Sequence, residues 1–166
     1  HRALGTAVQA PVQSREGRRS AEVYQLGINQ FAVGTNPRYE ADGPDKPRGH
    51  IFVWDVSRAM NCEIPHFVGA KELSLGQTVD WLRHEGPMRG WIRATLEDAH
   101  QQALAGQLAI ALPRDIKLKQ LAVILPEEEL AEDGKPFVAA AAKQRGNRLP
   151  LAEALGVHAA DCFVHL

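Results

Sequence analysis

The stretch from Arg48 to Val68 limits the fold more than any other part of the chain. Phe52, Val56 and Ala59 fall at i, i+4 and i+7, and Val53, Val56 and Met60 at i, i+3 and i+7. This spacing places a wide apolar stripe along a helix of about three turns, with Asp55 and Arg58 on a separate polar edge. Asn61 suits the left-handed residue that ends a helix, and Ile64-Pro65 forces extended backbone beyond it. Pro47 and Gly49 precede the helix, and no Ser, Thr, Asp or Asn stands directly before Ile51, so its start has no ordinary side-chain cap. The stretch predicts a loop, a buried helix, a left-handed stop and an extended exit.

The rest of the chain supplies partners for that helix. Residues 1–19 hold Gly, Pro, Gln, Ser and Arg without a period and read as a flexible arm or linker, ordered only if something holds it. From residue 20 onward a single domain is expected. Ser20 caps a short helix through Ile28, closed by a turn at Ala32 to Pro37. Residues 40–48 read as an exposed loop and residues 69–76 as a turn region. A second helix begins at Thr78 and ends near Gly86-Pro87. Trp91 to Ala94 is a strand candidate, and Thr95 caps a helix that Gly106 stops. Leu108 to Leu112 and Leu121 to Leu125 are unbroken apolar runs, the mark of central strands buried on both faces. Phe137 to Ala141 and Asp161 to His165 are further strands. Helices first and a mostly antiparallel sheet afterwards make an α+β fold.

At 166 residues with 45% hydrophobic content, the chain can bury one core, and it has no apolar run of the length a bilayer span needs. A net charge of -1 gives no global attraction to nucleic acid or to an anionic membrane. Arg15, Arg18 and Arg19, and Lys143, Arg145 and Arg148, form two modest basic patches read as solvated surface. Cys62 and Cys162 are the only cysteines, either bridged or free, and neither has a C-x-x-C partner, so no zinc site is expected. No other metal and no cofactor is indicated. The chain opens on His1 with no charged segment followed by an apolar one, which points to a piece of a longer polypeptide.

Ile51 to Val56, then Arg58-Ala59-Met60, then Glu63-Ile64-Pro65-His66 resemble the signature helix of bacterial cysteine amidases of the NlpC/P60 and CHAP kind, papain-like enzymes that cut peptidoglycan peptides. Gln30-Phe31 and Asn36-Pro37-Arg38-Tyr39 extend the likeness, which covers nearly all of residues 24–166. The resemblance implies a papain-like fold and places an envelope-associated, secreted or particle-borne role in view. In that family the helix is entered through Cys-Asn, the cysteine being the nucleophile. Here those positions are Gly49 and His50. The base would open the second central strand, where this chain has Gln120 ahead of Leu121 to Pro126, and the residue that orients the base falls at Ala140. Glycine has nothing to attack with and glutamine takes no proton at neutral pH. Loss of one member of such a set costs on the order of 10⁶ in turnover. Catalytic residues of this kind are therefore not expected.

Other residues border the same region. His50 stands at the helix start and is a groove or ligand contact, as are Trp54 and His66, although Trp54 also reads as core and His66 as structural. Cys62 lies past the far end of a helix about 15 Å long and reads as a small buried apolar residue. The expected function is a catalytically inactive amidase domain, kept as a binding or structural module for a peptidoglycan peptide or a protein partner, or built into an envelope, phage-tail-like or toxin-delivery assembly. An active hydrolase with displaced catalytic residues, through His50, is the first alternative. A protein-interaction module docking through the arm is the second. The oligomeric state is not readable from the sequence.

Overall fold

The computed structural model describes residues 5–43 and 46–166; the first four residues of the predicted arm, and residues 44 and 45 of the predicted 40–48 loop, lie outside the described residues. The fold is α+β. Helices α1 (Ala21–Asn29), α2 (Gly49–Ala59), α3 (Leu75–His84), α4 (Leu96–Leu104) and α5 (Leu151–Leu155) alternate with eight strands. Strands β1 (Phe67–Val68) and β2 (Lys71–Glu72) form a small hairpin. Strands β3 (Trp91–Ala94), β4 (Ala109–Pro113), β5 (Ala122–Ile124), β6 (Phe137–Ala141), β7 (Arg145–Pro150) and β8 (Ala160–His165) form one sheet in the order β3-β8-β4-β5-β6-β7. Every neighbouring pair in it is antiparallel. Among the described residues no helix is long and apolar enough to cross a membrane.

Local chemistry accounts for the element ends. The Ser20 hydroxyl accepts from the Val23 amide and starts α1, and Thr95 does the same for α4 through Asp98. Asn61 takes φ 57°, the left-handed conformation expected after α2. The middle strands β4 and β5 are buried at every residue and β6 at all but its first, as unbroken apolar runs require. Tyr24 of α1 joins the layers: its hydroxyl donates to the Ile124 carbonyl at 2.6 Å and accepts from the Ala109 amide at 3.2 Å. Asp161 of β8 gathers Arg83 at 2.8 Å, Arg93 at 3.0 Å and Arg114 at 3.2 Å, which ties α3 and the end of β4 to the sheet.

Several elements differ from the sequence reading. Helix α2 starts at Gly49 rather than Ile51. Helix α3 starts at Leu75, where Ser74 and Gln77 close a capping box, so residues 69–76 hold β2 and the first turn of a helix rather than a turn alone. Strand β7 and helix α5 were not anticipated. β7 is a polar edge strand bonded only to β6, and five residues of α5 are too few to show a period.

The arm is held by the domain itself. The Ser14 amide donates to the Ala59 carbonyl at 2.8 Å, the Asn61 side chain donates to the Ser14 carbonyl at 2.8 Å, and Arg19 donates to the Met60 carbonyl. The Gln30 amide brackets Val12 with bonds of 3.0 and 2.9 Å. These contacts satisfy carbonyls that the end of α2 would otherwise leave unpaired.

The polar edge of α2 is not on the surface. Asp55 is 1% exposed. Arg38 donates to its two oxygens at 2.8 and 3.1 Å, and the Tyr39 hydroxyl donates at 2.5 Å. Burial, followed by the charge of Asp55, raises the Tyr39 phenol far above its ordinary range, so it stays a donor. Arg58 turns away, lies 5.8 Å over the Trp54 ring and donates to the Val8 carbonyl at 3.2 Å. Replacing Asp55→Ala strips the carboxylate from the buried Tyr39 and the half-buried Arg38 and is expected to cost about 3–5 kcal/mol. Urea unfolding of the variant measures this, and a loss under about 1 kcal/mol would show that the network does not hold α2 in place.

Candidate functional site

An open cleft of about 1040 Å³ lies where the start of α2, the end of the β1-β2 hairpin, the start of α3, the residues leading into β5 and those leaving β6 meet. Its geometry begins with Gly49. A side-chain carbon built there would stand 3.0 Å from the Ala141 carbonyl oxygen and 3.5 Å from that of Leu121. The first turn of α2 is therefore pressed onto the backbone of β5 and β6. Any side chain at this position would need the Ala141 carbonyl to give way by a few tenths of an ångström, so the missing thiol goes with a tight approach of helix to strand.

Gln120 lies just ahead of β5 and lines the cleft, where its Oε1 is buried with no hydrogen-bond partner. Ala140 does not reach the cleft. It is fully buried within β6, while Ala142, two residues further along, lines the cleft beside Gln120. Neither alanine carries an atom that could orient a base. The structure thus brings Gly49 and Gln120 to one place and leaves Ala140 below it.

His50 and His66 both line the cleft, with ring centroids 5.5 Å apart. His66 is 2% exposed, and its Nε2–H donates to the Glu72 carboxylate at 2.6 Å. In the neutral ring Nδ1 is then an acceptor, and it too is buried without a partner, as is Nδ1 of His50. Burial first, and then the nearby His66, lowers the His50 imidazole to about 4. It is neutral at pH 7 and a weak base. Trp54 does not line the cleft. It donates to Glu63 at 2.8 Å and packs its ring 4.8 Å from that of His66, so it backs the site from behind. Glu72 and the pairing of His66 with it escaped sequence reasoning, because only the β1-β2 hairpin folds Glu72 back onto the exit of α2; no local motif signals it.

Other nucleophiles stand apart. Cys62 and Cys162 are free, buried thiols, and burial pushes both up to about 12. Ser74 lines the cleft, but its hydroxyl accepts from the Gln77 amide to cap α3. Among the described residues no group of three His, Cys, Asp or Glu side chains gathers in a way that could hold a metal ion. Among the described residues the rim is basic: Lys46, Arg48, Lys119 and Lys143 outnumber Asp42 and Glu72. No protein-family model matches this chain, and no curated protein matches it.

Two measurements follow from this geometry. Because the folded His50 titrates near 4 and an unfolded histidine near 6.5, the unfolded chain takes up the proton first. Stability is then lost as pH falls from about 6.5 to about 4 and levels off below. Unfolding free energies across that window should slope, and His50→Gln should flatten the slope; an unchanged slope would mean that His50 is not held neutral. Gly49→Ala sets overpacking of about 1–3 kcal/mol against a gain of about 0.4–1 kcal/mol from a stiffer unfolded chain. A net loss of about 1–2 kcal/mol is expected in urea unfolding, and a stabilised variant would show that the β6 backbone yields.

Proposed function

We propose that this chain is a papain-like amidase scaffold that binds in its cleft and does not cut, with a peptidoglycan-type peptide as its ligand. The observation that carries it is Gly49: the residue at the start of a buried helix, where the resemblance puts a reactive sulfur, lies against strand carbonyls. Gln120, in the place of the base, leads into a central strand next to it, as a papain-like arrangement of helix against sheet requires. The arm has its hydrogen bonds within the domain, which favours the cleft over the arm as the binding surface. An envelope-associated, secreted or particle-borne location belongs to the same proposal.

A second function rests on the Glu72–His66 pair. A carboxylate that fixes an imidazole leaves its other nitrogen aimed at the cleft, and such a pair can draw a proton from water. His50, lowered to about 4, is a weak base at neutral pH. A displaced hydrolytic set would therefore work through His66, with His50 as its neighbour.

One experiment separates the two. Purified protein is incubated with peptidoglycan stem-peptide fragments, while the His50 and Gln120 side-chain resonances and the release of new amines by mass spectrometry are followed. Saturable shifts without product are expected. Product that disappears in His66→Ala would establish hydrolysis and overturn the binding-only function; neither shift nor product would overturn both.

A further inference from the structure

Two kinds of unsatisfied group border the cleft. The first are acceptors. The His66 ring is 2% exposed and, with the ring neutral, its Nδ1 has no partner, since Nε2–H is spent on Glu72; the Gln120 Oε1 has none either. More than about nine in ten buried polar groups are hydrogen-bonded, so two such atoms lining one cleft call for a ligand that donates. The second are donors. Helix α2 has 11 residues, its N-cap Arg48 makes no side-chain capping bond, and its first turn contains no acidic residue. The first amides of a helix have no partner within it, and the helix dipole adds positive potential at that end. Charge on the rim points the same way. Lys119 is paired with Asp80, and among the described residues of the rim this leaves Lys46, Arg48 and Lys143 against Asp42 and Glu72.

With the His66 ring neutral, a bare anion would meet the lone pairs of its Nδ1 and of the Gln120 Oε1, and a bare amine would meet Arg48 and the positive end of α2. The last residue of a peptide carries both required groups: a carboxylate and, a few ångströms away, an amide N–H. We propose that the cleft captures the free C-terminal residue of a peptide. The carboxylate sits at the start of α2 beside Arg48, and the last amide N–H donates on the side of Gln120 and His66. Backbone donors that hold a terminal carboxylate are a recurring mode of peptide recognition. The inference rests on the cleft being a binding groove and adds which end of the peptide enters it.

The test uses the full chain, isotope-labelled, titrated with three peptides: acetyl-trialanine with a free carboxylate, the same peptide as its C-terminal amide, and acetyl-Ala-Glu-Ala amide, whose only carboxylate is on a side chain. The free acid is expected to bind and to shift the resonances of His50, His66 and Gln120, with the two amides weaker by about tenfold or more, the loss of a hydrogen bond to a charged group. Arg48→Ala, a half-exposed position, should weaken the free acid by about tenfold and leave the amides unchanged. Equal binding of acid and amides overturns terminal capture while the groove stands. Tight binding of the side-chain carboxylate overturns it in favour of a general acidic ligand. Binding of none overturns it also, and the stem-peptide titration then decides separately whether the cleft is a groove at all.

Discussion

The first turn of α2 lies so close to the sheet that a side-chain carbon on Gly49 would stand 3.0 Å from the Ala141 carbonyl oxygen, nearer than side chains ordinarily come. Much of the architecture depends on that approach. It sets the depth at which α2 sits, so that Phe52, Val53 and Val56 are fully buried. Interiors are packed as densely as organic crystals, and a helix seated even a methyl group higher would leave its whole inner face short of contacts. The close approach also leaves the helix start beside an open cleft. The residue that permits tight packing carries no side chain at the position where the resemblance to cysteine amidases puts the nucleophile.

The other end and the outer edge of α2 are held by polar groups. Asp55 is enclosed by Arg38 and Tyr39, while the carbonyls of Ala59 and Met60 accept from Ser14 and Arg19. A buried carboxylate of this kind contributes little net stability compared with apolar packing, yet it penalises any arrangement that separates it from its partners. It therefore fixes the segment around Arg38 against the helix. That segment is held from its far side as well, where Arg145 of β7 donates to the Asn36 carbonyl at 3.1 Å and Asn147 accepts from the Gly34 amide at 3.1 Å.

The sequence made much of this legible where signals were local. The apolar period of α2, the Asn61 stop, the Ser20 and Thr95 caps and the unbroken runs of β4 and β5 each follow from neighbours a few residues apart. What it did not reveal depends on distance or on weak composition. Asp55 and Arg58 read as one polar edge because both are charged and three apart, but their fates are set by Arg38 and Val8, far off in the chain. The Ser74-Gln77 capping box was present in the sequence and was masked by the glycines that flank it, so α3 was placed three residues late. Strand β7, with glycine, asparagine and two arginines, has no strand character of its own and exists because β6 offers an edge. For the site, Gly49, Gln120 and His50 were read from the chain, Ala140 was placed one step below the cleft that Ala142 lines, and Glu72 was not foreseen.

The cleft departs from the consistency found in the rest of the molecule. Nearly every buried polar group elsewhere has a partner, and the local patterns agree with the tertiary structure. Among the described residues, three of the four buried side-chain atoms without one line this cleft: Nδ1 of His50, Nδ1 of His66 and Oε1 of Gln120. Sites where local rules are broken without compensation are those where function is sought first. Unsatisfied polar atoms destabilise the unoccupied domain, by about 1–3 kcal/mol for each, and a scaffold kept only to fill space would lose nothing by replacing them with apolar groups of similar shape. Gln120 shows this most directly, since a leucine would pack in its place without an orphaned oxygen. Polar chemistry at the three positions, together with glycine at position 49, is what the proposed recognition of a ligand draws on.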